Sequence, residues 1–150
     1  MALNANQIPV YAITPKTSVG ILNAATAGTL GTTTNAVTIL TASASGSVVD
    51  SLFFNSDDTA AVNVFLFIVG SDGTTVKPLG IINVPLSSGN AANVLNVDGL
   101  NPNILKGLSL DNTGKYVIRL GASETLRMSC LANMTAAKKL YATAQFADYV

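Results

Sequence analysis

The sequence predicts an all-β domain, an antiparallel two-sheet β-sandwich, jelly-roll-like, with an extended N-terminal arm. Three observations predict it. Short apolar or alternating runs recur at roughly ten-residue spacing. Turn residues separate them, as in Ser71-Asp72-Gly73 and Asp111-Asn112-Thr113-Gly114. No stretch carries the 3.6-residue apolar period of an amphipathic helix.

The N-terminal arm and its loop take residues 1–35. Within it, residues 10–13 and 18–22 read as two short strands separated by Pro15. Residues 24–35 are small, polar and glycine-punctuated, a loop that offers little to bury. The arm has two destinations open to it, the edge of its own sheet or a neighbouring molecule, and the segment from Met1 to about Leu30 is expected to make contacts outside the domain and to be removable without loss of the fold.

The sandwich takes residues 36–150. Residues 36–41 and 47–54, joined by the turn at 43–46, read as a hairpin. Residues 62–69 are apolar on nearly every position, which fits a central strand with one face on the opposite sheet and the other covered too, for instance by a neighbouring subunit. The Asp72-Gly73 turn leads into residues 76–84, where Pro78 marks an edge or a bulge. A long polar connection precedes residues 94–97, and residues 101–107 have room for a single helical turn. Residues 115–120 form the next strand. Residues 125–131 follow, with Leu126, Met128 and Cys130 inward. The last strand, 139–149, turns Leu140, Ala142, Ala144 and Phe146 to one face and Tyr141, Thr143 and Gln145 to the other. Eight or more strands without a helix favour two packed sheets over one open sheet.

Composition narrows the function classes. Of 150 residues, 49% are hydrophobic and 11% charged, less than half the roughly 25% charge usual in soluble domains. A surface so poor in charge points to extensive cover by neighbours. Eight basic and eight acidic residues cancel to a net charge of +0, and the longest basic run is Lys138-Lys139. Nucleic acid needs a concentrated positive face, so it is not an expected partner. The longest apolar run, Val64 to Val69, is six residues, far below the roughly 20 of a membrane-spanning helix, and a membrane is not expected either. The opening Met1 to Gln7 lacks the basic and apolar regions of a secretion signal, and synthesis in a cytoplasm is expected.

Catalysis is not expected. The chain has no histidine, which removes the commonest general base and metal ligand. Asp57, Asp58, Asp72, Asp98 and Asp111 sit at turns, where Asp is favoured for its bonds to nearby backbone amides. Asp57-Asp58 lacks the spaced oxygen ligands of a calcium loop, and Gly28-Thr29-Leu30-Gly31 lacks the Lys-Ser/Thr and helix of a phosphate loop. Asp50 falls inside a strand, where strict alternation groups it with Val48, Leu52 and Phe54; a structural pairing with Arg119 or Arg127 is expected of it. Cys130 is alone and reads as a buried small hydrophobe. A saccharide platform would draw on Tyr11, Tyr116 or Tyr141, since there is no tryptophan. No catalytic, cofactor-binding or metal-binding residue is assigned, and no cofactor.

The run Leu40-Thr41-Ala42-Ser43-Ala44-Ser45-Gly46-Ser47-Val48-Val49-Asp50-Ser51-Leu52 resembles a pattern of small tailed-bacteriophage capsid decoration proteins, also called cement or head-fibre proteins. The pattern is a strand, a Thr-Ala-x-x-x-x-Gly-Ser turn, and a strand carrying an Asp. Val64-Phe65-Leu66-Phe67-Ile68 with Ser71-Asp72-Gly73 is similar to the next hairpin. Thr125-Leu126-Arg127-Met128-Ser129 and Ala144-Gln145-Phe146-Ala147-Asp148-Tyr149 are similar to the closing strands. Where members often carry Leu-Pro-Ala-Gly, this chain has Leu120-Gly121-Ala122-Ser123. The resemblance covers residues 36–150 and implies a β-sandwich on the outside of a phage head. The expected partners are the major capsid protein and further copies of the chain, a trimer favoured over a dimer. The alternatives are a tail, neck or baseplate structural subunit, or a fibre-associated module that binds a host-surface glycan.

Overall fold

Runs rich in Val, Ile, Phe and Thr suit a pleated surface, where branched and aromatic side chains pack against cross-strand neighbours, and they pair as strands. The computed structural model describes residues 12–149 and contains no helix among them. Its strands are β1 (Ala12–Asn23), β2 (Val37–Thr41), β3 (Ser47–Ser56), β4 (Val62–Val69), β5 (Val76–Val84), β6 (Val97–Asp98), β7 (Ser109–Leu110), β8 (Tyr116–Leu120), β9 (Thr125–Cys130) and β10 (Lys139–Tyr149).

Two antiparallel sheets result. The first runs β1-β10-β3-β8-β7, with β6 also on β3, and the second runs β2-β9-β4-β5. Successive strands from β1 to β4 alternate between the sheets, and so do β8, β9 and β10, which is the jelly-roll order. The core lies between the sheets. Val49, Leu52 and Phe54 of β3 meet Val64 and Leu66 of β4, Leu126 and Met128 of β9, and Leu140, Ala142 and Ala144 of β10. The alternation expected of β9 and β10 is present, and Cys130 is buried.

The topology corrects the expected hairpin at residues 36–54. β2 pairs with β9 in one sheet, while β3 pairs with β10 and β8 in the other. The turn at 43–46 therefore carries the chain across the sandwich. Gly46 serves this crossing: it has φ +91°, and a Cβ there would stand 2.6 Å from the Leu120 carbonyl oxygen.

The segment 12–23, expected as part of a dispensable arm reaching outside the domain, is instead a continuous strand of the first sheet. It pairs with β10 from Ala12↔Tyr149 to Asn23↔Lys139 and places Leu22 in the core. Pro15 does not divide it, because β1 is the edge of its sheet and an edge strand tolerates a missing donor. Ser18 Oγ also donates to the Ile39 carbonyl at 2.6 Å, tying this edge to β2. Residues 1–11 of the arm, Val10 and Tyr11 included, lie outside the described residues.

Pro78 lies on β5, the edge of the second sheet, beside a register shift between Leu66/Phe67 on β4; both of its expected settings are present. Residues 101–107 form one turn closed by the Leu105 amide on the Asn101 carbonyl, 2.9 Å. That turn places Leu105, 1% exposed, under β5, where Gly80 makes room for it.

Candidate interaction surface

The two sheets treat their outer faces differently. On the second sheet, alternation turns Phe65, Phe67 and Val69 of β4 away from the main core, yet each is buried within the single chain. Phe65 and Phe67 stack at 4.8 Å, flanked by Ala36, Val76 and Leu131. The loop at 24–35 crosses this side: the Gly28 amide donates to the Cys130 carbonyl at 2.8 Å, and a Cβ on Gly28 would meet Ser129 at 2.7 Å. The second cover expected for β4 is thus intramolecular; no neighbouring subunit is required to bury these rings.

The first sheet leaves its outer face open along β1, while the loop around Gly89 lies against Asn55 of β3. Its register aligns Thr17, Val19 and Ile21 of β1 with Gln145, Thr143 and Tyr141 of β10, and these with Ser51, Phe53 and Asn55 of β3. Three side chains from each of three neighbouring strands form this patch, and none is charged. Val19 is 47% exposed and Ile21 43%. An isolated apolar side chain on a surface needs no explanation, but aligned ones on neighbouring strands with no charge between them make a contiguous patch of the kind that marks contact sites.

The sheet edges are poor sites for contact by strand addition. β5 carries Lys77, Pro78 and a bulge, β7 is two residues long, and β1 carries Pro15 and Lys16 in its first half and is bound to β2. Such features block edge-to-edge pairing. The faces, not the edges, are the surfaces this domain offers for contact.

The carboxylates are structural at nearly every position. Asp58, 1% exposed, accepts the Thr135 hydroxyl at 2.6 Å, the Thr135 amide at 3.0 Å and the Ala60 amide at 3.1 Å. Burial pushes its carboxyl up, but these bonds outweigh burial and hold it below the usual carboxylate value. Asp148 accepts bonds from Lys16 and from Ser47 Oγ, which lower it. Glu124 pairs with Lys77 and accepts the Gly121 amide, and is likewise lowered. Asp72, Asp98 and Asp111 accept amides of their own turns, as the turn reading expects, whereas Asp57 accepts the amide of Lys139, 82 residues away.

Asp50 is the exception. The two ion pairs of the described residues are Lys16–Asp148 and Lys77–Glu124, so the pairing expected with Arg119 or Arg127 is not formed. Arg119 donates to the Tyr149 hydroxyl and the Leu110 carbonyl, and Arg127 to the Thr125 hydroxyl. Nor does Asp50 share a face with Leu52 and Phe54. A bulge at this point sets Gln145 opposite Ser51 and Phe146 opposite Val49, so Val49 and Leu52 both point inward. Asp50 lines two adjoining hollows on the outer side.

Cys130 is fully buried, with the Ala25 and Thr26 carbonyls near its sulfur, and burial pushes its thiol up. Among the described residues no three metal-ligating groups of His, Cys, Asp or Glu gather in one place, and no helix is long and apolar enough to cross a membrane. Of the tyrosines singled out for a saccharide platform, Tyr141 lies in the uncharged patch, Tyr116 lines one hollow beside Asp50, and Tyr11 lies outside the described residues.

No protein-family model matches the chain, and no curated protein is similar to it. Among solved structures, it is similar to a chain of the cyanophage Pam1 capsid asymmetric unit, with TM-score 0.42 and 17% identity over 98% of both chains.

Proposed function

We propose that this chain is a virion structural subunit, a decoration or cement protein that binds the outside of a tailed-phage head and bridges its capsid subunits. The observation that carries the reading is the uncharged patch on the outer face of β1, β10 and β3, on a sandwich that buries the outward rings of β4 within the chain and whose edges are blunted. The strand-and-turn resemblance across residues 36–150 supplies the class of partner, the major capsid protein. The mechanism is burial. A standard interface covers about 800 Å² per partner, about a tenth of this chain's 8019 Å² surface. Self-association, as a trimer before a dimer, would multiply weak contacts through effective concentration. Nothing in this role calls for catalysis or a cofactor.

Residues 1–11 are the segment proposed to contact the capsid beyond the sandwich. The truncation that tests this stops before Ala12, since a longer one removes β1 and the core residue Leu22. Truncated protein is expected to melt as the full chain does and to bind heads more weakly; full head occupancy by the truncated form would refute the role of the arm.

The experiment for the whole reading is mass spectrometry and cryo-electron microscopy of particles from the phage that encodes the chain. Ordered density for the sandwich on the outer head lattice supports decoration. Density on the tail, neck or baseplate, or absence from purified particles, overturns it.

A further inference from the structure

We propose that the groove on the outer side of β3, beside the uncharged patch, is a binding site for a neutral oligosaccharide. The groove exists because β3 is incompletely partnered along one side. β8 pairs with Ser47 to Val49 and β6 with Phe53 and Phe54, leaving a gap in the sheet at Asp50 and Ser51. The bulge in β3 turns Asp50 toward that gap.

The gap opens a hollow of about 590 Å³ lined by Asp50, Asn96, Asp98, Asn101, Lys115 and Tyr116. It shares Asp50 with a hollow of about 330 Å³ that reaches Thr17 and Gln145, and Asn96 with another of about 330 Å³ beside Asn55. Each is of ligand-site size, and joined end to end they suit a chain of linked rings better than one small molecule.

The lining selects the ligand. Asp50 has no partner among the described residues, and Asp98 uses Oδ1 for the Leu100 amide, leaving Oδ2 open. Asn101 uses Oδ1 for the Asn103 amide, leaving its NH₂. Open carboxylate oxygens accept from hydroxyls, while open amide NH₂ groups donate to them. Tyr116, 37% exposed, adds an aromatic surface for the apolar face of a sugar ring. Asp50 and Asp98 stand against Lys115 in the largest of these hollows, and Lys16 of the adjoining one is already paired with Asp148, which disfavours phosphates and uronic acids. The absence of a third metal-ligating group among the described residues disfavours a divalent cation. A neutral, hydroxyl-rich chain satisfies this set of groups.

The inference rests on the groove alone and not on the head-binding reading, so the two can fail separately. The test is ¹H–¹⁵N shift mapping of the full chain with cellotetraose, maltotetraose and chitotetraose in turn. Saturable shifts at Asp50, Ser51, Asn96 and Asn101 with at least one of them are expected. Tyr116→Ala is expected to weaken that binding about tenfold, with Asp50→Asn weakening it as well and both variants melting as the native chain does. The site is refuted if none of the three sugars shifts these amides at millimolar concentration, or if binding survives unchanged in the folded Tyr116→Ala protein.

Discussion

The double substitution Val19→Asp and Ile21→Asp puts the uncharged face to a direct test. Both side chains point outward from β1 and remain roughly half exposed, at 47% and 43%. Full burial of such a side chain contributes about 1.5–3 kcal/mol, so the surface still in water is worth about 1.5–3 kcal/mol for the pair when a partner covers it. Replacement forfeits that gain and adds two carboxylates, each carrying a penalty of several kcal/mol if left buried and unpaired. A loss of at least about 3 kcal/mol per subunit follows, more than a hundredfold in affinity. The fold itself should change little. Gly20 and Leu22, which face inward from the same strand, are untouched, and the poor strand propensity of Asp costs about 1 kcal/mol or less per site. The assay is co-sedimentation with phage heads beside a thermal melt of the free protein. Native attachment should also be nearly independent of salt, because the patch offers no charge to screen. A variant that melts as the native chain does and still fills the heads at native concentration would refute the argument.

Two further outcomes concern the domain itself. Asp58, Asp148 and Glu124 have carboxyls held below their ordinary values; the stability they supply is fully present above the unfolded-state values near pH 4 and is lost as pH falls through the lower folded ones. With no histidine to titrate, the urea midpoint is expected to be flat from about pH 5 to 8 and to fall below about pH 4, with a shallower fall in Asp58→Asn; a step near pH 6.5 would contradict this. Cys130 is buried with its thiol pushed up, so a thiol reagent should label it only at the rate of unfolding; prompt labelling of native protein would show the packing of β9 to be wrong.

The features legible in the sequence are those that a short stretch of chain decides. Alternation alone identifies the inward residues of β9 and β10, because each strand is regular over its length and a period of two fixes its faces. Asp at turns announces itself locally, since the carboxylate bonds to amides two or three residues away. The absence of histidine, the low charge and the solitary cysteine bound the chemistry before any fold is known. Pairing is a different matter. β1 meets β10 more than 100 residues away, and β2 meets β9 rather than its neighbour β3. A turn of a few residues does not encode which sheet receives the next strand. Pro15 looks like a break until β1 is seen to be an edge. The face of Asp50 depends on a bulge set where β3 meets β10, which throws local alternation out of step at that residue. The sequence by itself determines that this chain is a charge-poor assembly of strands with carboxylates suited to turns. Only the tertiary structure decides that the outward rings of β4 are covered, that β1, β10 and β3 align an uncharged patch, and that Asp50 opens beside Tyr116, because these are properties of register between distant strands.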